Sequence, residues 1–194
     1  IDGISASGKT VFADELAQIL RDAGREVVRA GLDGFHNPPE IRHRLGPNSV
    51  EGYRRNSFDY SSVRRLVLDP LGPGGDLSYQ TEIFDHLEGE SRETETKEAS
   101  PQAILLFEGV MLFWEELCNC FDYKILVHSS FEVALERAKV RDLWKFGNFF
   151  EMKIEYGYVL REGETEPPPE IKRLWSEGMK IRKVLDENIK VGRT

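Results

Sequence analysis

The sequence predicts an α/β fold: a central parallel sheet between layers of helices, with a small insertion on the substrate side. Three observations point to it. Gly3-Ile4-Ser5-Ala6-Ser7-Gly8-Lys9-Thr10 has the pattern Gly, four residues, Gly-Lys-Thr, and runs straight into an amphipathic stretch. Apolar strand-like runs then alternate with helical patterns along the chain. Two of those runs end on a carboxylate, Asp33 and Glu108, and open parallel sheets gather their ligands at the carboxyl ends of strands.

The glycine pattern makes a loop whose backbone N–H groups of Gly3, Ser5, Ala6, Ser7 and Gly8 turn inward around phosphate oxygens. Lys9 reaches the outer phosphates, and the Thr10 hydroxyl can hold a Mg²⁺ ion. The helix that follows adds the positive end of its dipole. This identifies the architecture as the P-loop NTPase-type three-layer fold. Such folds place a buried strand before the loop, yet only Ile1 and Asp2 precede it here. Either the sequence is a piece of a longer chain, or another segment fills that slot.

Residues 9 to 23 read as a helix with Phe12, Leu16, Ile19 and Leu20 on one face and Gly24 as its stop. Residues 26 to 32 read as a strand ending on Asp33-Gly34-Phe35-His36. Residues 37 to 65 hold Arg42, Arg44, Arg54, Arg55, Arg64 and Arg65 among few acids, a local positive field that reads equally as phosphate contact or as a solvated face. The Pro- and Gly-rich run 69 to 80 reads as loop, residues 79 to 86 as half of a hairpin, and the acidic run 88 to 100 as exposed turn or strand with little chemistry. Residues 103 to 107 and 123 to 127 read as buried strands. Ser129, with Glu132 three residues on, reads as the capping box of a helix that carries Arg137, Lys139 and Arg141. Pro167-Pro168-Pro169 marks a linker before a last amphipathic helix at 170 to 188.

With 194 residues the chain has room for one domain with an insertion. Its net charge of −8 argues against a nucleic-acid binder. No apolar run approaches the ~20 residues of a membrane span, and no signal peptide is visible. Cys118 and Cys120 are too few for a disulfide framework and badly spaced for zinc, so they read as reduced thiols of a cytoplasmic protein.

A phosphate loop alone specifies nucleotide binding, not a reaction. The chain has no Asn-Lys-x-Asp guanine reader and no mechanical coupling elements. It does have what a small-molecule kinase needs. Asp33, at a strand end, can accept the proton of an attacking hydroxyl, or cap its loop. Glu108 can bind Mg²⁺ directly or through water, or be a turn-side carboxylate. His36 reads as substrate contact or polar rim. Lys9, the metal and basic lid residues would stabilise the transferring phosphoryl group.

The ordered set Ile1-Asp2-Gly3 with Ser7-Gly8-Lys9-Thr10, Leu32-Asp33-Gly34-Phe35-His36, Ser57-Phe58-Asp59-Tyr60, Ile83-Phe84-Asp85-His86, Leu106-Phe107-Glu108-Gly109 and Arg137 to Arg141-Asp142 resembles the uridine kinase family, within the uridine kinase, phosphoribulokinase and pantothenate kinase group. The resemblance runs from residue 1 to about 147. The stretch 42 to 60 with Asp69-Pro70-Leu71-Gly72-Pro73-Gly74-Gly75 resembles a bacterial uridine-kinase-like branch.

The resemblance implies ATP-dependent phosphoryl transfer to a hydroxyl of a nucleoside-like acceptor. It implies Asp33 as catalytic base, with Lys9 and Arg141 assisting, and Mg²⁺ at Thr10, Asp33 and Glu108. ATP would contact the loop from Gly3 to Thr10 and Arg137, the lid spanning 130 to 150. Asp59 would hold ribose hydroxyls, with Phe84 and His86 at the base and His36 and Tyr53 nearby; residues 37 to 100 would be the acceptor-side insertion. A sugar or a pantothenate-like acid is the alternative acceptor, and a non-catalytic nucleotide-binding regulator the alternative function. A homo-oligomer is left open.

Two departures accompany it. The hairpin carries Phe84 before Asp85 where pyrimidine nucleoside enzymes carry a tyrosine, so uridine itself is not implied. Residues 151 to 194 do not resemble the family, and the hydrophobic strand expected near the adenine is not found after residue 150. Residues 170 to 188 look like the helix that precedes the first strand in this group, with 188 to 194 leading into it. The expectation is that this atypical segment is displaced from upstream or packs on the kinase domain, or else that the sequence omits residues.

Overall fold

The computed structural model of the protein describes residues 1–46, 49–85 and 90–146. The chain divides into two units, Ile1–Glu155 and Tyr156–Thr194, and the second lies wholly outside the described residues, as does the expected helix at 170 to 188.

The phosphate loop leads into helix α1 (Lys9–Asp22), whose N-cap is Gly8 at φ 101° and which stops where Gly24 takes φ 77°. A β-carbon resists both conformations, so glycine is needed at each. The buried face is Ala13 and Ala17, with Leu16 and Leu20 packed beside them. Phe12 and Ile19, expected on that face, are 37% and 65% exposed. The two alanines explain the difference: with no bulk beyond Cβ they seat the helix against the sheet, and the apolar stripe rotates to centre on them.

Strand β1 (Val27–Gly31) follows and passes into a 3₁₀ turn, Leu32–Phe35. The insertion then runs through α2 (Pro39–Arg42), α3 (Val50–Asn56) and α4 (Tyr60–Val63), a π-helical turn at Arg64–Leu68, and α5 (Asp69–Leu71). Helix α5 corrects the reading of 69 to 80 as loop throughout: Pro70 suits a first helical turn, and the helix ends at Gly72. Two short ladders come next. β2 (Ser78–Tyr79) pairs antiparallel with β5 (Lys97–Glu98), and β3 (Phe84–Asp85) with β4 (Glu90–Ser91).

Strand β6 (Ile104–Glu108) lies parallel to β1 in a register that brings Gly31 opposite Glu108. Ile1 and Asp2 fill the slot beyond it. The Ile1 amino nitrogen donates to the Phe107 carbonyl oxygen at 2.7 Å, and Gly109 N–H to the Ile1 carbonyl oxygen at 3.1 Å. On its other side Asp2 donates to Ile125 and accepts from Val127, both at 2.8 Å. The sheet order is therefore β1, β6, Asp2, Leu126, all parallel.

The expected buried strand at 123 to 127 is reduced to that single bridge, and Tyr123 is 89% exposed. Among the described residues its sheet neighbour is Asp2 alone, so there is no second ladder to bury it.

Helix α6 (Phe131–Phe146) closes the described chain. Its cap is Ser130, not Ser129: Ser130 Oγ accepts the Val133 N–H at 3.3 Å, and its carbonyl oxygen the Ala134 N–H at 3.0 Å. Glu132 therefore falls one place short of the capping-box position.

One core joins Ile1, Ala13, Ala17 and Leu106 beneath α1. Beyond the strand ends Leu32, Phe35, Val63, Val67, Leu112 and Leu117 are all fully buried. Side chains of this size each contribute roughly 1.5–3 kcal/mol on burial, so the turn that carries Asp33 hangs between two anchored residues, Leu32 and Phe35.

Candidate active site

The phosphate loop is shaped by close contacts. A β-carbon on Gly3 would come within 2.4 Å of the Val127 carbonyl oxygen and 2.8 Å of Ser7 Oγ. Ala6 takes the left-handed conformation at φ 57°. Lys9 Nζ folds over the loop and donates to the Ile4 carbonyl oxygen at 2.9 Å. Asp2, which carried no role in the sequence reading, ties the loop down: Oδ1 accepts Gly3 N–H at 2.7 Å and Oδ2 accepts Phe113 N–H at 3.2 Å. Burial pushes its carboxyl above the ordinary value, against the lowering effect of those two N–H groups. Its parallel bridge to Gly109 sets the loop beside Glu108.

Ser7 Oγ is buried with no hydrogen-bond partner among the described residues. An orphaned hydroxyl inside a ring of backbone N–H groups fits a phosphate oxygen. Arg137 of α6 donates to the Ser7 carbonyl oxygen at 3.2 Å, so this helix contacts the phosphate loop. Arg141 lies one turn further along α6, and its side chain is outside the described residues.

A cleft of about 490 Å³ opens beyond the ends of β1 and β6. Asp33 and Glu108 line it from the sheet side, Phe84, Asp85 and Arg92 from the hairpin side. Asp33 is exposed to this space. Phe84 is 4% exposed and presents an aromatic wall. Asp85 is clamped by Arg92 Nη2, and Arg92 Nη1 also reaches Glu82 at 3.4 Å. The acidic run from 88 to 100 holds the exposed strands β4 and β5, and its Arg92 lines the cleft.

Thr10 at the start of α1, Asp33 and Glu108 are hard oxygen donors and suit a divalent cation such as Mg²⁺, which needs few protein ligands when phosphates supply the rest. Among the described residues no group of three or more His, Cys, Asp and Glu could hold a metal by itself. Glu108 is already engaged. Arg29 Nη2 bonds its Oε1 at 2.9 Å and Asp14 Oδ1 at 2.9 Å, while Nη1 donates to the Leu106 carbonyl oxygen at 3.3 Å. Arg29 has no local sequence signal, because its pairing with a β6 carboxylate follows from the register of β1 and β6.

Of the expected acceptor residues, Asp59 caps α4. Its Oδ1 accepts Ser61 Oγ at 2.6 Å and Ser62 N–H at 3.0 Å, and its Oδ2 accepts Ser62 Oγ at 2.7 Å. Partial burial would raise its carboxyl, but these donors outweigh that and hold it below the ordinary value. Asp59 does not line the cleft, though its N–H donates to Phe35 carbonyl oxygen at 2.8 Å, beside the Asp33 turn. His36 Nδ1 lies 2.9 Å from the Asp33 carbonyl oxygen, and its ring meets Phe58 in a tilted contact, 4.5 Å between centroids. Tyr53 sits on α3, and His86 lies outside the described residues.

The basic stretch is largely structural. Arg54 lies 4.1 Å above the Trp114 ring, Arg55 pairs with Glu51, Arg64 with Asp69 at 3.6 Å, and Arg65 donates to Ser62 Oγ at 3.2 Å.

Residues 1–156 match the model of the phosphoribulokinase / uridine kinase family. Uridine kinase of Chlamydia pneumoniae is 25% identical over 151 residues, which cover 76% of this chain and 64% of that one. Uridine kinase of Mycoplasma pneumoniae is 28% identical over 148 residues, 76% of this chain and 67% of that one. Uridine-cytidine kinase 2-B of Danio rerio is 22% identical over 162 residues, 79% and 60% of the two chains. This chain thus spans about three fifths to two thirds of the length of these relatives. A solved structure described as a possible uridine kinase from Bacillus stearothermophilus superposes with a TM-score of 0.57 at 21% identity, over 75% of this chain and 82% of that one. The likeness carries the α/β fold expected from the phosphate loop.

Proposed function

Because the chain belongs to the phosphoribulokinase / uridine kinase family, we propose that it is an ATP-dependent kinase that phosphorylates a hydroxyl of a small, nucleoside-like acceptor. The observation that carries this reading is the cleft in which Asp33 and Glu108 face an aromatic wall at Phe84, with the phosphate loop held beside Glu108 through the Asp2–Gly109 bridge.

In this reading the loop from Gly3 to Thr10 binds the nucleotide phosphates through backbone N–H groups, with Ser7 Oγ completing the ring. Asp33 takes the proton of the acceptor hydroxyl as its oxygen attacks the γ-phosphorus. Lys9, Arg137 and Arg141 offset charge on the transferring group and hold it in line. A Mg²⁺ ion, held by Thr10, Asp33 and Glu108, would screen the phosphate charge. Phe84 offers its face to a base, and His86, outside the described residues, is assigned to the same acceptor. Asp59 retains lone-pair capacity on Oδ2 for an acceptor hydroxyl, and His36 and Tyr53 complete that side. Residues 37 to 100 serve as the acceptor-side insertion and 130 to 150 as the lid. ATP supply is consistent with a cytoplasmic protein.

The test is a screen of nucleosides, sugars and pantothenate-like acids with Mg-ATP, following ADP release. Acceptor-dependent ADP release with a nucleoside supports the reading. Release that is the same with and without every acceptor overturns it in favour of an ATPase. Nucleotide binding with no release at all overturns it in favour of a regulator.

A further inference from the structure

We propose that Arg29 is a positioning residue that occupies Glu108 and so prevents the site from taking up a divalent cation in the absence of nucleotide. The inference rests on the kinase reading for its metal, but it concerns a charge balance visible in the structure.

The Arg29 guanidinium bonds two carboxylates, Asp14 on α1 and Glu108 at the end of β6. The two partners differ in setting. Asp14 is 66% exposed, Glu108 15%, and Arg29 itself 19%. An exposed pair contributes little, because water screens it. The inner pair is shielded, so the Arg29–Glu108 contact dominates, and the Leu106 carbonyl oxygen fixes the guanidinium from a third side.

The charge count follows. Asp33, Glu82, Asp85 and Glu108 line the cleft with two cations, Arg29 and Arg92; Arg92 is taken up by Asp85 and Glu82, which leaves Arg29 to balance Asp33 and Glu108. Without Arg29 the two carboxylates would present an open, doubly negative pocket of oxygen donors, which attracts a bare cation. With Arg29 bonded to Oε1, the charge of one carboxylate is offset, and the pull of the pair on a bare cation falls. A cation that arrives already bound to nucleotide phosphates does not need that pocket. It brings its own oxygen ligands and asks only for Thr10 and the outer oxygens of Asp33 and Glu108. Arg29 therefore couples metal entry to nucleotide entry, and it lessens repulsion between the carboxylates and the phosphates.

The probe is Mn²⁺ alone, titrated into nucleotide-free protein and followed by electron paramagnetic resonance. The wild type should show no site as tight as the one it forms with ADP and Mn²⁺ together. Arg29→Met should bind Mn²⁺ without nucleotide at least about tenfold more tightly than wild type, since removing one positive charge a few ångströms from the cation is worth that much even when well screened. Arg29→Lys, which keeps the charge, should behave as wild type. In Arg29→Met with Glu108→Gln the gained site should disappear. Arg29→Gln gives the same new site should the methionine variant fail to fold.

Unchanged Mn²⁺ binding in both neutral variants overturns the inference, and so does a gained site that survives Glu108→Gln. Because the readout needs neither acceptor nor turnover, the two claims fail separately. A gained Mn²⁺ site with no acceptor phosphorylated leaves the Arg29 inference standing without the kinase. Acceptor phosphorylation with no gained site removes the inference and leaves the kinase.

Discussion

The guanidinium of Arg137 donates to the carbonyl oxygen of Ser7 across 130 positions of sequence, at 3.2 Å. Helix α6 and the phosphate loop are thus joined by a contact of one guanidinium N–H group, and on the kinase reading the others meet the nucleotide. Arg137→Ala should lower kcat by about 10- to 100-fold through lost charge stabilisation and raise the KM for ATP. Thermal unfolding should shift little, because the side chain is exposed. A fall in melting temperature that accounts for the whole loss of activity would reduce Arg137 to a structural tie.

Asp33 sits on a turn pinned by the buried side chains of Leu32 and Phe35, so its replacement should not disturb the fold. Asp33→Asn should reduce kcat by about 10²–10⁴-fold, the range of general-base effects, while ADP binding measured by calorimetry stays within a few-fold. Retained turnover would remove Asp33 from the base position.

Asp59 has a stability role that can be read through pH. Its carboxyl lies below the ordinary value because the Ser61 and Ser62 donors outweigh partial burial. The folded state therefore binds that proton less readily than the unfolded chain. The carboxylate's contribution is complete above the ordinary carboxylate range and is lost as the pH falls through the lower folded value. Asp59→Ala should cost about 1 kcal/mol, as loss of an N-cap does, and raise the acceptor KM. Urea unfolding from neutral to acid pH should show the gap between wild type and variant closing as the pH falls. A gap independent of pH would contradict the cap.

Tyr60 reports at the alkaline end. Burial pushes its phenol up to about 12, with Glu116 adding to the rise and Arg54 opposing it. The folded state holds the proton more tightly, so the stability this provides is present below the ordinary value near 10 and disappears as the pH rises through about 12. An ultraviolet titration should show one late phenol absent from Tyr60→Phe, and the variant should lose stability less steeply over that window. An early, unhindered titration would show that the ring is not shielded.

What the sequence disclosed depended on the kind of signal. The glycine spacing from Gly3 to Thr10 encodes backbone geometry directly, and Asp33 and Glu108 were legible because strand ends are where parallel sheets place ligands. The resemblance assigns Asp59 to a ribose, while Asp59-Tyr60-Ser61-Ser62 is also a helix-start signature, and the structure shows the cap. Ala13 and Ala17 were hidden because a stripe drawn through bulky residues ignores the small ones that permit close approach. Arg29 and Arg92 were invisible for another reason: each matters through partners set by sheet or hairpin register, which no local window contains. The segments that hold His86 and residues 147 to 194 lie outside the described residues.

The two walls of the cleft differ in how they are built. On one side Asp33 and Glu108 are carried by a five-residue parallel ladder seated on a buried core. On the other, Phe84 and Asp85 are held by a ladder of two residue pairs and the Arg92 clamp. Substitutions in the second wall can accumulate without unseating the first. On the kinase reading, acceptor preference can change through Phe84, Asp85 and Arg92 while the carboxylates on the sheet side stay in place.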